Sequence, residues 1–479
     1  MNSVSRFCIF CALCIFSLFA LQSTHATPPH IVVILADDMG YGDLKAYNPE
    51  SKIPTPHLDK LAAEGVVFTD GHSGGSTCIP SRYSLLTGRF AAHKSGFNAS
   101  RPVIEEGRPT IASMLREQGY HTAMVGKWHL GFDRKGKDKG KADGQKGGGF
   151  DYEQAITGGP VDRGFDSFFG MHASLDIPPY YYMRDRKATM APTQKAKAND
   201  SMGTDENWNR IQGAFGRPGD VASDFKFEEV TPRFTTEACK VIESHSGEKP
   251  LFLYLALPSP HTPWLPTKEF IGKSGAGMYG DFVMQVDGVV GQVSDSLKKA
   301  GMAENTLVFF SSDNGPVWYE KDVEKFGHRS VGPLRGCKAS VWEGGHRVPF
   351  MMKWPAKIKE GQRSDQLVAF ADLYATLAEV VGAKAATKDS VSFAPILLDP
   401  DRKHPPRPPV LHGSQTIREG DWKLIATKGS RGFNAPKGVA YGIELYDMAK
   451  DPGEQNNLAA ENPETVKVLR AKMQSILKK

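Results

Sequence analysis

The sequence predicts an α/β fold in which helices cover both faces of a large, mostly parallel sheet. Two observations favour this class: short apolar runs suited to fully buried strands, and helical segments that alternate with those runs along the chain. The predicted strands are residues 31–36, 121–125, 251–257 and 306–310. Strands that are apolar on both faces are typical of parallel sheets, whose crossover connections are usually helices.

Helical signals separate these predicted strands. The first helix is expected to begin at Thr55, a residue type that caps helix N-termini, with Pro56 in its first turn and Gly65 at its end. Further helices are predicted at residues 111–118, 233–245 and 278–300. The alternation of strand and helix therefore extends through most of the chain.

A smaller unit is predicted at the C-terminal end. A length of 479 residues exceeds what one hydrophobic core usually serves, and the stretch 385–409 is rich in Pro, Lys and Asp. Beyond it, the predicted elements are short strands within residues 410–425 and 443–446 and a helix at 464–477. We therefore predict a large α/β domain at residues 27–400 and a small antiparallel sheet with one helix at residues 401–479.

The first 26 residues indicate a cleavable secretory signal. Arg6 precedes an apolar run at residues 7–21, and small residues up to Ala26 offer a cleavage site. The alternative is a membrane anchor, which needs a longer run of about 20 apolar residues. No later segment is apolar for long enough to cross a bilayer. We therefore predict cleavage near Ala26 and export, either to a periplasm or out of the cell.

The charge balance and the cysteine count exclude two classes of protein. The net charge of +5 comes from 59 basic and 54 acidic residues, without the concentrated basic stripe of a nucleic-acid-binding protein. Of six cysteines, three lie in the predicted signal, which leaves Cys78, Cys239 and Cys337. Three cysteines are too few for a disulfide scaffold.

Polar residues follow each predicted strand where it ends. They are Asp37 and Asp38 after the first strand, Lys127 and His129 after the second, His261 after the third, and Asp313 and Asn314 after the fourth. The carboxyl ends of parallel strands meet at one edge, where open α/β sheets bind ligands, so these residues are expected to build one site. The Asp and Asn oxygens suit Ca²⁺ or Mg²⁺, although each such residue taken singly is more often a loop residue or a helix cap.

Cys78 is expected at the N-terminus of a helix. Pro80 stands where a first helical turn would begin, which places Cys78 among free amide groups at the positive end of the helix dipole. Such a position favours anions. The alternative is a buried structural cysteine, which is a common environment for a free thiol.

The sequence around Cys78 resembles a known family. Cys78-x-Pro80-Ser81-Arg82, followed by Leu85-x-Thr87-Gly88, is similar to the signature of the type I sulfatases, which share the alkaline-phosphatase-like fold. Further stretches similar to family motifs occur in the expected order and span nearly the whole chain after the signal. They are residues 36–43, 126–131, 260–263, 312–315, 334–338, 343–349 and 444–458.

The resemblance implies a modified residue and a metal ion. In the family, the cysteine equivalent to Cys78 is oxidised after translation to Cα-formylglycine by a formylglycine-generating enzyme, which recognises the Cys-x-Pro-x-Arg core. The hydrated aldehyde carries two hydroxyls. A divalent cation, with Ca²⁺ favoured over Mg²⁺, would be bound by Asp37, Asp38, Asp313 and Asn314, with the modified side chain at position 78 as a further ligand.

The resemblance also implies a role for each nearby basic residue. One hydroxyl, its pKa lowered by the metal, would attack sulfur and expel the alcohol. His261 and Lys338 would protonate or stabilise the leaving oxygen, and Arg82, Lys127 and Lys338 would neutralise the sulfuryl oxygens. His129 would take a proton from the second hydroxyl, so that sulfate leaves. Outside the motifs, the same residue types are commonly core histidines, surface lysines or ion-paired arginines.

The resulting prediction is a sulfatase that acts on sulfated glycans or their fragments, with an aryl sulfate as an artificial substrate. Two alternatives stay open at this point: a phosphodiesterase or phosphonate monoester hydrolase on the same fold, and a non-catalytic sulfoglycan-binding protein. A sulfate monoester carries one negative charge and a phosphate monoester two. A single metal with several cationic side chains therefore favours the sulfate ester.

Three further features lie outside the motifs. Tyr180, Tyr181 and Tyr182 belong to an aromatic, Pro-containing stretch at residues 174–182 that either forms a platform for a sugar ring or packs as a loop. The Lys- and Gly-rich stretch at 134–149 is predicted to be a solvated surface loop. A third expectation is that the tail contributes to the cleft through His412 and Arg418.

Overall fold

The computed structural model describes residues 27–134, 150–198, 212–213, 215–401, 404–427 and 441–478. The predicted signal segment at residues 1–26, and the Lys- and Gly-rich stretch apart from its first residue, lie outside the described residues. No helix in the described ranges is both long enough and apolar enough to span a bilayer.

The strands and α-helices of the described residues are numbered in chain order. The strands are β1 (His30–Ala36), β2 (Val66–Phe68), β3 (Gly71–His72), β4 (His121–Lys127), β5 (Ser167–Met171), β6 (Met183–Arg184), β7 (Lys187–Ala188), β8 (Gln194–Ala196), β9 (Gly219–Val221), β10 (Leu251–Ala256), β11 (Thr306–Ser312), β12 (Phe350–Lys353), β13 (Gln362–Ser364), β14 (Val368–Ala369), β15 (Val410–Leu411), β16 (Thr416–Glu419), β17 (Trp422–Ile425) and β18 (Glu444–Asp447). The helices are α1 (Pro56–Ala63), α2 (Cys78–Thr87), α3 (Ile111–Glu117), α4 (Val230–Glu243), α5 (Gly277–Lys299), α6 (Glu320–Phe326), α7 (Asp372–Val380), α8 (Ala394–Leu398) and α9 (Pro463–Leu477).

A ten-stranded sheet forms the centre of the fold, in the order β13-β2-β12-β11-β1-β10-β4-β5-β6-β7. Its middle five strands, β11, β1, β10, β4 and β5, run parallel to one another. The four strands predicted from apolar runs all lie in this parallel centre, and almost every residue in them is buried. The predicted α/β class is therefore confirmed.

The register of the parallel strands brings their ends to one edge of the sheet. Ala36 of β1 pairs with Ser312 of β11, and Leu35 pairs with Ala256 of β10. Since parallel strands share one direction, the residues that follow β1, β4, β10 and β11 leave the sheet side by side.

Helices pack around this sheet in two groups. In one group, α5 contacts both α1 and α4, and in the other, α2, α3 and α7 contact each other. Helix α3 and helix α4 both contact β4, as expected when helices cover a sheet. Helix α4 begins at Val230, three residues before its predicted start, because the 3₁₀ turn Phe227–Glu229 leads directly into it.

The C-terminal part contains a separate four-stranded antiparallel sheet in the order β15-β16-β17-β18. Helix α9 packs on β16 and β17. Leu424, Leu445, Leu469 and Met473 are buried together between this sheet and the helix. The predicted small antiparallel sheet with a closing helix is therefore present at the expected place in the chain.

Candidate active site

Cys78 lies at the point where the strand ends and a helix N-terminus meet. It is the first residue of α2, as predicted, and its side chain is buried. The Cys78 sulfur lies 3.4 Å from Asp37 Oδ1, 3.4 Å from Lys127 Nζ and 3.7 Å from Lys338 Nζ. Residues from β1, β4 and a distant loop thus surround the first turn of α2.

Asp37 connects the cationic groups of the site. It follows β1, is fully buried, forms a salt bridge with Lys127 and lies 3.7 Å from an Arg82 nitrogen. Burial opposes ionisation of this carboxyl, but Lys127, His261 and Arg82 together hold its pKa well below the usual range. Asp37 is therefore an anion despite its burial.

Arg82 and Asp313 form a second buried ion pair. Arg82 Nε donates to Asp313 Oδ2 at 2.9 Å, and Arg82 Nη1 donates to the Lys127 carbonyl at 3.0 Å. Burial and the neighbouring Asp37 carboxylate raise the pKa of Asp313, although Arg82 acts in the opposite direction. Each of these two carboxyls disfavours the ionisation of the other. A bound cation would remove this unfavourable interaction.

Asp38 stands at a turn with a positive φ of 66° directly after β1. Its Oδ1 accepts a hydrogen bond from Asn314 Nδ2 at 2.7 Å, and its Oδ2 accepts one from Lys338 Nζ at 2.8 Å. The amide oxygen of Asn314, in contrast, is buried and has no hydrogen-bond partner. An unpartnered buried carbonyl oxygen is costly unless a ligand satisfies it.

These residues fit a hard divalent cation. Asp37, Asp38, Asp313 and Asn314 provide oxygen donors, the set that Ca²⁺ and Mg²⁺ prefer. Donor atoms of Asp37, Asp38, Cys78 and His261 lie within 4.8 Å of one another. The amide oxygen of Asn314 adds a further candidate metal ligand, because no hydrogen-bond donor of the described chain binds it.

The two histidines of the site differ in their hydrogen bonds. His129 follows β4 with a positive φ of 53°, and its buried Nδ1 has no partner. Burial, with Lys127 and Arg82 nearby, lowers the pKa of His129 well below its ordinary value, so the ring is neutral and able to accept a proton. His261 Nδ1 donates to the Thr262 carbonyl at 2.7 Å, and His261 Nε2 lies 3.6 Å from Asp38 Oδ2.

The structure thus places all of the sequence-predicted site residues in one buried cluster, and it adds two that the motifs do not contain. Asp176 Oδ1 lies 3.8 Å from His261 Nδ1. Tyr254 is buried in the middle of β10 and interacts with Arg82. A hydroxyl within an otherwise apolar strand was the available signal for Tyr254. Asp176 had none, because its loop carries no periodic pattern.

A cleft of about 320 Å³ opens beside this cluster. Its lining includes Ile79, which follows Cys78 in the chain, and His129, together with Phe132, Arg134, and His172. A larger cavity of about 580 Å³ lies near the C-terminal end of α2 and contains none of the clustered residues. The smaller cleft is therefore the one that adjoins the site around Cys78.

The structure decides between the two interpretations of the aromatic stretch at residues 174–182. Tyr180, Tyr181 and Tyr182 are only 2, 2 and 0% exposed, so they pack inside the protein and cannot form a platform for a sugar. Arg134 is partly buried among aromatic rings of the cleft, and the rest of the stretch predicted to be a solvated loop lies outside the described residues.

The expectation that the tail contributes to the cleft is wrong. His412 stacks on His346 with ring centroids 4.1 Å apart, and Arg418 donates to Asp70 at 3.1 Å. These contacts belong to a different buried cluster, on the side of the C-terminal sheet. His412 and Arg418 therefore do not line the cleft beside Cys78.

Comparison with known proteins identifies similar chains. The sequence matches the family model described as Sulfatase over residues 29–383. A curated N-acetylgalactosamine-6-O-sulfatase from Bacteroides thetaiotaomicron is 32% identical, with 94% of this chain and 93% of the relative covered. Human arylsulfatase A is 31% identical, with 93% and 87% covered.

Solved structures agree with this similarity. One from work on the metabolism of multiple glycosaminoglycans by Bacteroides thetaiotaomicron superposes with a TM-score of 0.81 at 30% identity, covering 95% of this chain and all of the other. A second, described as a complex with its substrate D-glucosamine-2-N,6-O-disulfate, has a TM-score of 0.62 at 18% identity and supports the fold alone.

Proposed function

The chain belongs to the sulfatase family and is a sulfuric ester hydrolase, and on that premise we propose that it desulfates glycans with a nucleophile made from Cys78. The observation that carries the proposal is the position of the Cys78 sulfur, 3.4 Å from both Asp37 and Lys127 at the start of α2. A reactive group at this position would lie beside one carboxylate and two lysines. It would also lie next to the cleft lined by Ile79 and His129.

The unmodified thiol suits this role poorly. Burial, together with the Asp313 and Asp37 carboxylates, raises the pKa of the Cys78 thiol well above its ordinary value. A protonated thiol is a weak nucleophile. Conversion to formylglycine by a maturing enzyme would supply a hydrated aldehyde, in which one hydroxyl attacks sulfur and the other allows the sulfate to be released.

A divalent cation, Ca²⁺ in preference to Mg²⁺, would supply Lewis-acid chemistry at this site, held by Asp37, Asp38, Asp313, Asn314 and the residue at position 78. The protein residues would have the remaining roles. Arg82 is fully buried against Asp313 and keeps the carboxylates in place. Its positive charge also offsets the negative charge of these acids.

The lysines and histidines of the site would handle the sulfuryl oxygens and the protons. Lys127 and Lys338 lie within 3.7 Å of the Cys78 sulfur and would neutralise charge on the sulfuryl group. His261 or Lys338 would donate a proton to the alcohol oxygen as the S–O bond breaks. The neutral Nδ1 of His129 would accept the proton whose loss releases sulfate.

The glycan is expected to be a 6-O-sulfated amino sugar. This proposal draws on the curated N-acetylgalactosamine-6-O-sulfatase, which aligns along nearly the full length of this chain. The test is sulfate release from N-acetylgalactosamine 6-sulfate and from 4-nitrocatechol sulfate, with the Cys78→Ala variant as the control. We expect release by the wild-type protein alone. Equal release by the variant would contradict the proposed nucleophile.

We also propose that the protein is exported. Residues 1–26 have the composition of a secretory signal, and a sulfatase of large extracellular glycans needs access to them. N-terminal sequencing of the protein from its native host should begin near Thr27. A mature protein that retains its first 26 residues would contradict a cleaved signal.

A further inference from the structure

We propose that Arg134 forms a subsite for a second anionic group of the substrate, a carboxylate or a sulfate, beside the sulfate that is hydrolysed. The proposal rests on the proposed function and narrows the substrate to sulfated glycans that carry another negative charge near the scissile ester.

Arg134 lies in the cleft that leads to Cys78. The cleft of about 320 Å³ is lined by Ile79 and His129, which belong to or adjoin the site, and by Arg134, Phe150 and His172. Its volume is within the range of pockets that hold a small ligand. A sugar whose sulfate reaches position 78 would therefore have its other substituents, or the next sugar, within this cleft.

The guanidinium group of Arg134 is held by aromatic rings and not by an acid. Its central carbon lies 4.7 Å from the ring centroid of Phe132, 4.7 Å from that of Phe150 and 5.5 Å from that of Tyr181. Arg134 has no ion pair with any described residue, and its buried Nη1 has no hydrogen-bond partner. Cation–π contacts fix the plane of the group but do not satisfy the N–H donors of Nη1.

The other cations near the site are already paired. Lys127 is bound to Asp37, Lys338 to Asp38 and Arg82 to Asp313. Arg217, which approaches from another loop, is paired with Asp176. The charge of Arg134 thus differs from these four in having no partner in the described chain.

His172, the neighbouring polar group of the cleft, adds no positive charge. Burial lowers the pKa of His172 to about 3, so its ring is neutral at physiological pH. Its Nε2 is already engaged with the Pro179 carbonyl at 2.8 Å. Arg134 is therefore the group available for an anion, and the planar fork of a guanidinium matches the oxygens of a carboxylate or sulfate.

The test compares binding of matched ligands by variants that cannot turn them over. Calorimetry would measure binding to Cys78→Ala and to the Cys78→Ala, Arg134→Met double variant. The ligands are the chondroitin 6-sulfate disaccharide, its uronate methyl ester, and N-acetylgalactosamine with either one sulfate at position 6 or two at positions 4 and 6. Cys78→Ala, Arg116→Met serves as the matched control, because Arg116 is an exposed arginine of α3.

We expect Arg134→Met to weaken binding of the ligand that carries the second anion by about 10- to 100-fold, which is typical of one lost charged hydrogen-bond pair. Binding of the ligand without it should change by less than about threefold. A loss confined to the free uronate assigns the subsite to a carboxylate, and a loss confined to the disulfate assigns it to a sulfate. An equal loss of affinity for ligands with and without the second anion, or no loss of affinity for any ligand, would overturn the proposal.

Turnover separates this proposal from the proposed function. Hydrolysis of 4-nitrophenyl sulfate, which has no charged group besides its sulfate, by the chain with Cys78 intact tests the catalytic proposal without the second anion. Failure of the wild-type chain to hydrolyse any sulfate ester would contradict the catalytic proposal, while the calorimetric comparison would still decide the role of Arg134.

Discussion

The charges around Cys78 are arranged as buried pairs of opposite sign. Lys127 is paired with Asp37, and Lys338 Nζ lies 2.7 Å from Asp38 Oδ1. The removal of one partner leaves the other uncompensated in a buried site, so these residues support both the structure and the chemistry. The two effects separate experimentally when activity and stability are measured on the same variant.

Lys338→Ala is expected to lower kcat for an aryl sulfate by about 100- to 1,000-fold, because the variant loses a cation directed at the charge that develops on the sulfuryl group. The measurement is initial rate against substrate concentration, with the melting temperature recorded for the same preparation. Lys299→Ala, which removes a 72% exposed lysine, is the control and should leave kcat unchanged. A Lys338→Ala enzyme that is folded and fully active would contradict the assigned role.

Asn314 offers a test of the cation site that does not depend on turnover. Its buried Oδ1 has no partner, so Asn314→Ala removes a donor that we assign to the metal. After treatment with a chelator, the variant should bind Ca²⁺ at least about tenfold more weakly than the wild-type protein in a calorimetric titration. Asn314→Asp keeps an oxygen at this position and should retain binding. Equal affinity of the Ala variant would exclude Asn314 as a ligand.

The site residues differ in how far the sequence could predict them. Cys78 and Arg82 belong to one contiguous motif, and Asp37, Lys127 and Asp313 directly follow or end strands whose apolar runs are unmistakable. Arg134 gave no such signal. Its environment is created by aromatic rings from other segments, and it begins a Lys- and Gly-rich stretch whose composition predicts solvation.

At the level of elements, the parallel centre of the sheet was predictable and its edges were not. β1, β4, β10 and β11 are each six or seven residues long and nearly all buried, which gives a clear apolar signal. Strands such as β2, with three residues, are too short to show a period and depend on pairing with distant segments. Tertiary pairing therefore decides where the sheet ends.

Gly126 shows how closely the strands approach at the site. It lies in β4, has a φ of +117°, and a Cβ built on it would lie 1.9 Å from the Ala256 carbonyl oxygen of β10. Gly126→Ala should therefore destabilise the protein by more than about 2 kcal/mol in denaturant unfolding. Gly301→Ala is the matched control, because Gly301 has a φ of +69° with nothing within 4 Å of the added carbon.

The control variant isolates backbone strain from steric overlap. Gly301→Ala is expected to lose about 1 kcal/mol, the penalty for a left-handed residue with a side chain. Gly126→Ala adds the clash with Ala256 to that strain. Equal losses for the two variants would show that β4 and β10 separate easily at this point.

For the molecule as a whole, a buried polar cluster joins the C-terminal sheet to β3 and to the segment that precedes β12. Lys423 of β17 donates to Glu343 at 2.8 Å and lies 3.2 Å from His346 Nε2. His72 Nδ1 lies 3.0 Å from His346 Nδ1, and His412 stacks on His346. These residues are far apart in the chain, so no local pattern predicted their meeting. The division into residues 27–400 and 401–479 remains a proposal across this junction.

Acidification should weaken this junction. Burial lowers the pKa of His346 and His412 well below their ordinary values, with Lys423 and His72 acting in the same direction and Glu343 opposing them. An unfolded chain protonates its histidines near pH 6.5. The unfolded state therefore binds more protons below that pH, and stability that is complete above about pH 6.5 declines as the pH falls.

The measurement is the melting temperature between about pH 7.5 and pH 5, across the ordinary histidine pKa. His412→Phe keeps the stacked ring and removes two buried nitrogens that have no hydrogen-bond partner. This variant should be at least as stable as the wild-type protein at neutral pH and should lose less stability on acidification. His245→Phe, at a partly buried histidine outside this cluster, is the control and should follow the wild-type curve. An unchanged pH dependence in His412→Phe would contradict the account of the junction.

We propose that the nucleophile at position 78 is made from cysteine, and mass spectrometry of the protein from its native host would detect this modification. Trypsin should release residues 61–82, which contain Cys78, and residues 234–240, which contain Cys239 as an internal control. We predict that the first peptide is lighter than its sequence by about 18 Da, the change from a thiol to an aldehyde, and that the second is unchanged. An intact thiol at Cys78 in protein that hydrolyses sulfate esters would contradict the account.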